Sequence, residues 1–432
     1  MKNTIYGGHI SFSNMKNSSN AGVSKKQYIL GGNGEDVLLY LGRYLARDRS
    51  SGSHVSMDVN HPHAVFIAGK RGYGKSYTMA VLMEEMMMLP DEIKSNVSSV
   101  VIDTMGIFWT LRKSNEVQKS IVHEWNLETK EFDIDIFVPA GSLSSYEERH
   151  IVVKPLSLPI SQMDGYEWCE LFDIEAVSPP GVLTIRIIDE LKKNMTFSFN
   201  DIIDLAMEDE RSDIVTKGAV ENHFRTAISW GIFAEKGEGI EEMVKGGSTS
   251  VIDVSTIRGE ALRSALVSSI ARNIYHLRLE ARRSYERIMM GDKQVEKGIP
   301  MVWLFIDEAQ QFLPSQGSTL ASDVLLNEWL KQGRQPGLSL VLATQRPSSI
   351  HPDVLSQSDI VICHRLTSQD DISVLESVRP SYMKENFADS IMKMGSEKGA
   401  AFVVDDNTEA AHIIRLRPRL SWHGGDDPSI IS

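Results

Sequence analysis

Val65-Phe66-Ile67-Ala68-Gly69-Lys70-Arg71-Gly72-Tyr73-Gly74-Lys75-Ser76-Tyr77-Thr78 runs from an apolar strand through a glycine-rich loop into a helix that opens with Lys-Ser. Gly69, Gly74, Lys75 and Ser76 meet the pattern G-x-x-x-x-G-K-[ST], and Gly72 adds a further point where the backbone can turn its N–H groups inward. Those N–H groups and the start of the helix make a concave, positive site for the β-phosphate of a nucleotide. Lys75 reaches the β and γ oxygens as a point charge, and the Ser76 hydroxyl is a ligand for Mg²⁺. The residues expected to contact nucleotide are Gly69, Lys70, Arg71, Gly72, Tyr73, Gly74, Lys75, Ser76 and Tyr77.

A second stretch gives the loop its chemistry. Met301-Val302-Trp303-Leu304-Phe305-Ile306 is an apolar run ending in Asp307-Glu308-Ala309-Gln310, the pattern of a buried strand that delivers two carboxylates to the carboxyl edge of a parallel sheet. This is a Walker B segment. Asp307 is the expected second holder of Mg²⁺, and Glu308 the general base that orients and polarises the attacking water. With both segments present, ATP hydrolysis is the leading reading over nucleotide binding alone. Further on, Leu325 to Gln332 reads as a helix and Leu338 to Ala343 as another buried strand. That strand ends in Thr344-Gln345-Arg346-Pro347, which places Gln345 to sense the γ-phosphate or the attacking water. Arg334 precedes the strand by four residues, at the opposite edge of the sheet from its own nucleotide. It reads either as a finger serving a neighbouring subunit in trans or as a surface arginine.

The rest of the chain is arranged around these segments. The 432 residues fit a single elaborated α/β domain with a short N-terminal appendage over residues 1–60, a core over 61–416 and a tail over 417–432. Candidate strands lie near Gln27 to Leu30 and His54 to Met57, Glu35 to Leu45 is either a short helix or extended, and Ser50 to Ser53 reads as a turn. Met79 to Leu89 reads as a buried helix, and Ser99 to Asp103 as a strand whose carboxylate either faces the nucleotide crevice or caps a turn. Between about 161 and 245 the periodicity turns helical, with Gly165 to Phe172, Gly181 to Lys193 and Asn200 to Met207 as the clearest segments of a helical insertion. His61-Pro62-His63 lacks further ligands nearby and reads as a loop. Cys169 and Cys363 sit among apolar residues and read as buried thiols.

Charge and hydropathy exclude some classes. A net charge of −13 argues against a broad basic surface coating nucleic acid, yet it is compatible with a ring that keeps a few cations on channel-facing loops. No run approaches the roughly 20 apolar residues of a membrane span. The opening Met-Lys-Asn-Thr-Ile-Tyr-Gly-Gly has no signal-peptide core, so the expectation is a cytoplasmic protein without a membrane partner.

The phosphate loop, the Asp307-Glu308-Ala309-Gln310 box, and Gly333-Arg334 followed by Ala343-Thr344-Gln345-Arg346-Pro347-Ser348 together resemble the HerA/FtsK superfamily of ring-forming DNA-pumping ATPases, HerA-like members above all. The resemblance covers roughly residues 60 to 416. It implies a RecA-like P-loop core with a mainly parallel sheet, a homohexamer binding ATP at subunit interfaces, and translocation of double-stranded DNA through a central pore. It also implies work with a NurA-like nuclease or another effector, in DNA end processing or phage defence. By that resemblance Lys75 and Ser76 match the Walker A residues, Asp307 and Glu308 the Walker B pair, Gln345 the glutamine sensor and Arg334 a candidate trans finger. Two departures stand out. Only 68 residues precede Gly69, so the expectation is that the family's usual β-barrel is absent or reduced, and Gln310 stands where a histidine often closes the Walker B box. A regulatory scaffold ATPase and a conjugation or secretion-type ATPase are the rival readings.

Overall fold

The computed structural model describes residues 27–424 apart from the short stretches 33–36, 47–49, 194–195, 236–239, 293–297, 379–380, 384–385 and 396. Residues 1–26 of the appendage and 425–432 of the tail therefore lie outside the described residues. The strands, in chain order, are β1 (Tyr28–Leu30), β2 (Leu38–Leu45), β3 (Ser51–Asp58), β4 (Ala64–Ala68), β5 (Val97–Asp103), β6 (Asp135–Pro139), β7 (Lys154–Leu156), β8 (Leu158–Pro159), β9 (Phe233–Ala234), β10 (Thr249–Asp253), β11 (Met301–Ile306), β12 (Leu338–Thr344), β13 (Ile360–Cys363), β14 (Ala400–Asp405) and β15 (Ala410–Leu416). All but β8 and β9 join one sheet in the order β1-β3-β2-β15-β14-β13-β4-β12-β11-β5-β10-β6-β7. From β13 to β7 neighbouring strands run parallel, whereas β13, β14, β15, β2 and β3 pair antiparallel. The fold is α/β.

Period-two alternation along the central strands feeds two cores. Phe66, Val100, Ile102, Leu304 and Ile306 face one core, while Val65, Ile67, Val101, Trp303 and Phe305 face the other. The second core is closed by the helix Lys75–Met87, whose Met79, Met83 and Met86 are buried. The first is closed by the 30-residue helix Glu260–Met289 and by the insertion. Each insertion helix starts on a local signal. Asp164 and Ser198 head capping boxes, Ser178 precedes a proline start, and Asp213 caps Ile214–Trp230, which ends at Gly231 in the left-handed region. Trp168, packed against Phe172, Phe199, Phe224 and Phe233, is the centre of this bundle.

Of the two readings of Glu35 to Leu45 the extended one holds where the stretch is described, whereas Ser51 to Ser53 is the start of β3 rather than a turn. Instead of standing off as an appendage, β1 to β3 lengthen the main sheet, because β2 pairs with β15. The close approach there needs a glycine: a Cβ on Gly42 would lie 2.1 Å from the Arg415 carbonyl oxygen. The helix expected over Leu325 to Gln332 ends at Leu330, and Val324–Leu330 is wound as a π-helix, with Trp329 Nε1 donating to the Ala271 carbonyl at 3.0 Å. Arg417-Pro418-Arg419, at the start of the tail, packs on the chain's own helix Lys75–Met87. Glu84 on that helix is fully buried and accepts hydrogen bonds from Arg417 Nη1 at 2.8 Å, Leu420 N at 3.0 Å, and Ser421 N and Oγ at 3.0 and 2.6 Å. Glu85 takes Arg417 Nε at 2.7 Å and the β2 amide of Tyr40 at 2.9 Å.

Removing one partner of such a buried set leaves the others unpaired, which costs more than the set contributes net. Glu84→Ala, which removes the acceptor shared by Arg417 Nη1 and the Leu420 and Ser421 amides, is therefore expected to destabilise the fold by about 3–5 kcal/mol. A thermal melt within a degree of the parent protein would contradict this. A second buried charge gives a pH dependence. His63 opens β4 between Asp359, 2.7 Å from its Nδ1, and Asp58, 3.9 Å from its Nε2. Burial works against the charged ring, but the two carboxylates overcome it and hold the His63 pKa up at about 9. Folded His63 thus keeps its proton more tightly than unfolded histidine, so its contribution is complete below about pH 6.5 and fades as pH climbs through about 9. The melting temperature of the parent protein should fall more steeply between those values than that of His63→Asn; parallel curves would show that His63 is not the titrating group.

Candidate active site

Three adjacent parallel strands build the site. β12 lies between β4 and β11, with Thr344 paired to Ala68 and Leu342 paired to Ile306. The chain leaving each carboxyl end is functional in kind: the phosphate loop after β4, Gln345 after β12, Asp307-Glu308 after β11. In the loop, Gly72 and Gly74 hold φ of 79° and 117°, conformations that favour glycine. The helix that follows has neither a side-chain cap nor an acidic residue in its first turn, so its leading N–H groups stay available to an anion.

The loop rests on β13. Gly69 N donates to the Thr344 carbonyl at 3.3 Å and Lys70 N to the Arg365 carbonyl at 2.9 Å. His364, fully buried, sits beneath it. Its Nε2 is 2.8 Å from Thr78 Oγ1 and its Nδ1 3.0 Å from the Ala400 carbonyl. A Cβ on Gly69 would come within 2.7 Å of the His364 Cβ, so loop and histidine are in close contact. Burial pushes the His364 pKa down to about 4, which keeps the ring neutral beside the phosphate site. Lys70 and Arg71 are exposed, and Tyr73 is half-buried with the Arg365 guanidinium 5.5 Å from its ring centre. Tyr77 turns its hydroxyl to the tail, where it accepts from Arg419 N at 2.6 Å.

Lys75, Ser76, Asp307 and Glu308 converge. Ser76 Oγ donates to Asp307 Oδ2 at 3.2 Å, and Asp307 Oδ1 accepts the Glu308 amide at 2.9 Å. Lys75 is 5% exposed; burial lowers its pKa against the opposing pull of Glu308 and Asp307. Burial, then the neighbouring Glu308, push Asp307 up to about 6. Glu308 occupies the left-handed region at φ 49° and is 6% exposed, and its carboxylate accepts from the side-chain amides of Gln345 and Gln310. Asp103 ends β5 at the same sheet edge and also caps the turn that follows, accepting from the amides of Met105, Gly106 and Phe108 at 3.1, 2.7 and 2.8 Å. The turn-capping reading of Asp103 is the one its hydrogen bonds bear out. Burial and then Asp253, its partner across the ladder, drive the Asp103 pKa up to about 7. Arg334 is exposed at the amino end of β12, the far end of that strand from Gln345, and so is not brought to this site.

Sequence reasoning did not single out His364, Thr78, Thr344 or Arg365. Thr78 and Thr344 lie inside the motifs already quoted, while the one signal for His364 and Arg365 is β13, a four-residue run of apolar side chains, Ile360-Val361-Ile362-Cys363, that ends in a histidine beside a charge.

Known proteins are related to this chain in sequence and in fold. Residues 39–274, more than half of the chain, match the family described as Helicase HerA, central domain. The DNA double-strand break repair helicase HerA of Pyrococcus furiosus is 23% identical over 219 residues, covering 45% of this chain and 39% of that protein. A probable helicase of Methanocaldococcus jannaschii is 22% identical over 375 residues, covering 82% of this chain and 66% of its own length. The chain thus spans from about a third to about two thirds of the curated relatives it matches. Among solved structures, VirB4 of Thermoanaerobacter pseudethanolicus superposes with a TM-score of 0.54 at 14% identity over 92% of this chain and 98% of that one, a likeness of fold. A Walker-type site at the carboxyl edge of a mainly parallel sheet, in a sequence matched from β2 into the helix Glu260–Met289, makes this chain a member of the HerA central-domain family, a nucleotide-binding P-loop ATPase of the HerA/FtsK superfamily.

Proposed function

We propose that the chain is an ATP-driven double-stranded DNA translocase that works as a homohexamer and hydrolyses ATP between neighbouring subunits. The observation that carries this reading is the division of parts between the two edges of one sheet. Lys75, Ser76, Asp307, Glu308 and Gln345 stand at the carboxyl edge and Arg334 at the amino edge. A ring in which the carboxyl edge of one subunit faces the amino edge of the next supplies Arg334 to its neighbour's nucleotide.

In this reading the loop amides of Gly72 and Gly74, the leading amides of the helix and the Lys75 ammonium bind the β- and γ-phosphates. The Glu308 carboxylate accepts a proton from water as the water oxygen attacks the γ-phosphorus. The bond from that phosphorus to the β,γ-bridging oxygen breaks, and ADP leaves with the electron pair. Gln345 holds the Glu308 carboxylate and stands where it can also meet the water or the γ-phosphate. The hydroxyl of Ser76 and the carboxylate of Asp307 are hard oxygen donors 3.2 Å apart, the kind Mg²⁺ takes alongside phosphate oxygens. When bound, Mg²⁺ supplies neutralisation of the charge on the β and γ oxygens. A NurA-like nuclease or another effector is the proposed partner in DNA end processing or phage defence. Among the described residues no helix is long and apolar enough to cross a membrane, so the proposal includes no membrane-spanning anchor there.

Light scattering with ATP and Mg²⁺ is expected to find a particle of about six times the 48.3 kDa chain mass. Linear duplex DNA should raise ATP turnover, and indifference to DNA would favour a scaffold that gates a partner enzyme. Lys75→Ala is expected to lose nucleotide binding, and Glu308→Gln to bind ATP without turning it over. Normal turnover in the latter removes Glu308 as the base. Mixing Arg334→Ala with Lys75→Ala subunits should restore part of the activity that neither has alone, and a flat zero at every ratio would count against a finger acting in trans.

A further inference from the structure

Glu308 is held more tightly than a general base needs for binding alone. Its backbone sits at φ 49°, a region that costs a non-glycine residue of order 1–3 kcal/mol. Its side chain is 6% exposed, and each carboxylate oxygen accepts from a different glutamine. Gln345 takes Oε1, while Gln310 Nε2 donates to Oε2 at 2.7 Å. Gln310 is itself fixed: its amide oxygen accepts from Thr344 Oγ1 at 2.7 Å, so its nitrogen is turned to Glu308. Thr344 has no freedom either. It is fully buried at the end of β12, and its hydroxyl oxygen accepts the Arg346 amide at 3.1 Å. The carbonyl of the same residue accepts the first amide of the phosphate loop, Gly69 N, at 3.3 Å.

We propose that Gln310 is the positioning residue of Glu308, and that Thr344 fixes Gln310 so that the phosphate loop and the base keep one geometry. This rests on Glu308 being the base. The arrangement orients the carboxylate without blocking it. A carboxylate offers about four lone-pair positions, and the two amides occupy one on each oxygen, which leaves one on each for water. Positioning matters because a displacement of about 1 Å at a reacting group can cost about a hundredfold in rate. The chain of contacts is continuous: Gly69 N to the Thr344 carbonyl, Thr344 hydroxyl to the Gln310 amide oxygen, Gln310 amide nitrogen to Glu308. Gln310 touches neither Ser76 nor Asp307 in this network, so its loss should leave nucleotide binding intact.

The test compares Gln310→Ala, Thr344→Val, Thr344→Ser and the Gln310→Ala/Thr344→Val double variant, with Glu308→Gln alongside. Steady-state ATPase rates, affinity for a non-hydrolysable ATP analogue, and melting temperature are measured for each. Gln310→Ala and Thr344→Val should each lower kcat by about 10- to 100-fold, with KM and analogue affinity within about twofold of the parent. Thr344→Ser, which keeps the hydroxyl, should restore most of the rate. The double variant should be no worse than Gln310→Ala, because both changes break one relay. A kcat in Gln310→Ala equal to or above the parent value overturns the proposal, as does a loss shared equally by nucleotide affinity. So does equal damage from Thr344→Ser and Thr344→Val. If Glu308→Gln is inactive while Gln310→Ala is normal, the positioning role falls and the base stands; if Glu308→Gln turns over normally, the base reading falls first.

Discussion

The ladder joining β4, β12 and β11 is the constraint on which the site depends. Parallel strands lie about 4.8 Å apart, so three consecutive carboxyl ends bring three loops within side-chain reach of one another. The register Ala68 to Thr344 and Ile306 to Leu342 therefore decides which residues meet. Slipping any of these strands by one residue would turn Asp307 or Thr344 to the other face of the sheet. The packing opposes such a slip from both sides, since alternate residues of β4 and β11 fill two separate cores.

Around that ladder the molecule gathers buried charge. Asp103, Asp253, Asp307 and Glu308 line neighbouring strand ends, all under 7% exposed, with Lys75 buried among them. Burial and mutual repulsion raise the Asp103 and Asp307 pKa values, while amides and hydroxyls offset part of that cost. The same economy appears behind the helix Lys75–Met87, where Glu84 is satisfied by Arg417 and the backbone of Leu420 and Ser421. The phosphate-loop helix is thus clamped at its rear by the tail and at its front by His364 through Thr78.

Much of this was legible from the residues in order. The glycine spacing after β4 and the apolar run before Asp307 are local patterns, and local patterns fix strand, loop and helix without reference to the rest of the chain. Three insertion helices were legible for the same reason, those that follow Asp164, Ser178 and Ser198, whereas Ile214–Trp230 behind its Asp213 cap was not singled out. What escaped depends on contacts across hundreds of residues. Gly42 shows its purpose only beside Arg415, His63 only beside Asp359, and Arg417 only beside Glu84. His364 was passed over because nothing near it in sequence marks the loop it supports. Gln310 was visible as a departure from the usual Walker B box, but its partner Thr344 is 34 residues away. The π-helical winding of Val324–Leu330 is invisible to a periodicity that assumes 3.6 residues per turn.

The pairing of β2 with β15 also sets an order of assembly. Tyr44 meets Ile414 across the sheet, so the amino-terminal hairpin finds its neighbour only after some 370 further residues have left the ribosome. The strand ends that carry the Walker residues can dock earlier, because β4, β5, β11 and β12 all precede β13 in the chain. During synthesis, then, β2 and β3 wait with one edge of their ribbon unpaired, an interval in which a nascent chain is most exposed to wrong partners. Tyr28 and Tyr44, stacked on each other and met by the His412 ring at a tilt and edge-on in the finished sheet, are the aromatic surface left uncovered until that last strand arrives.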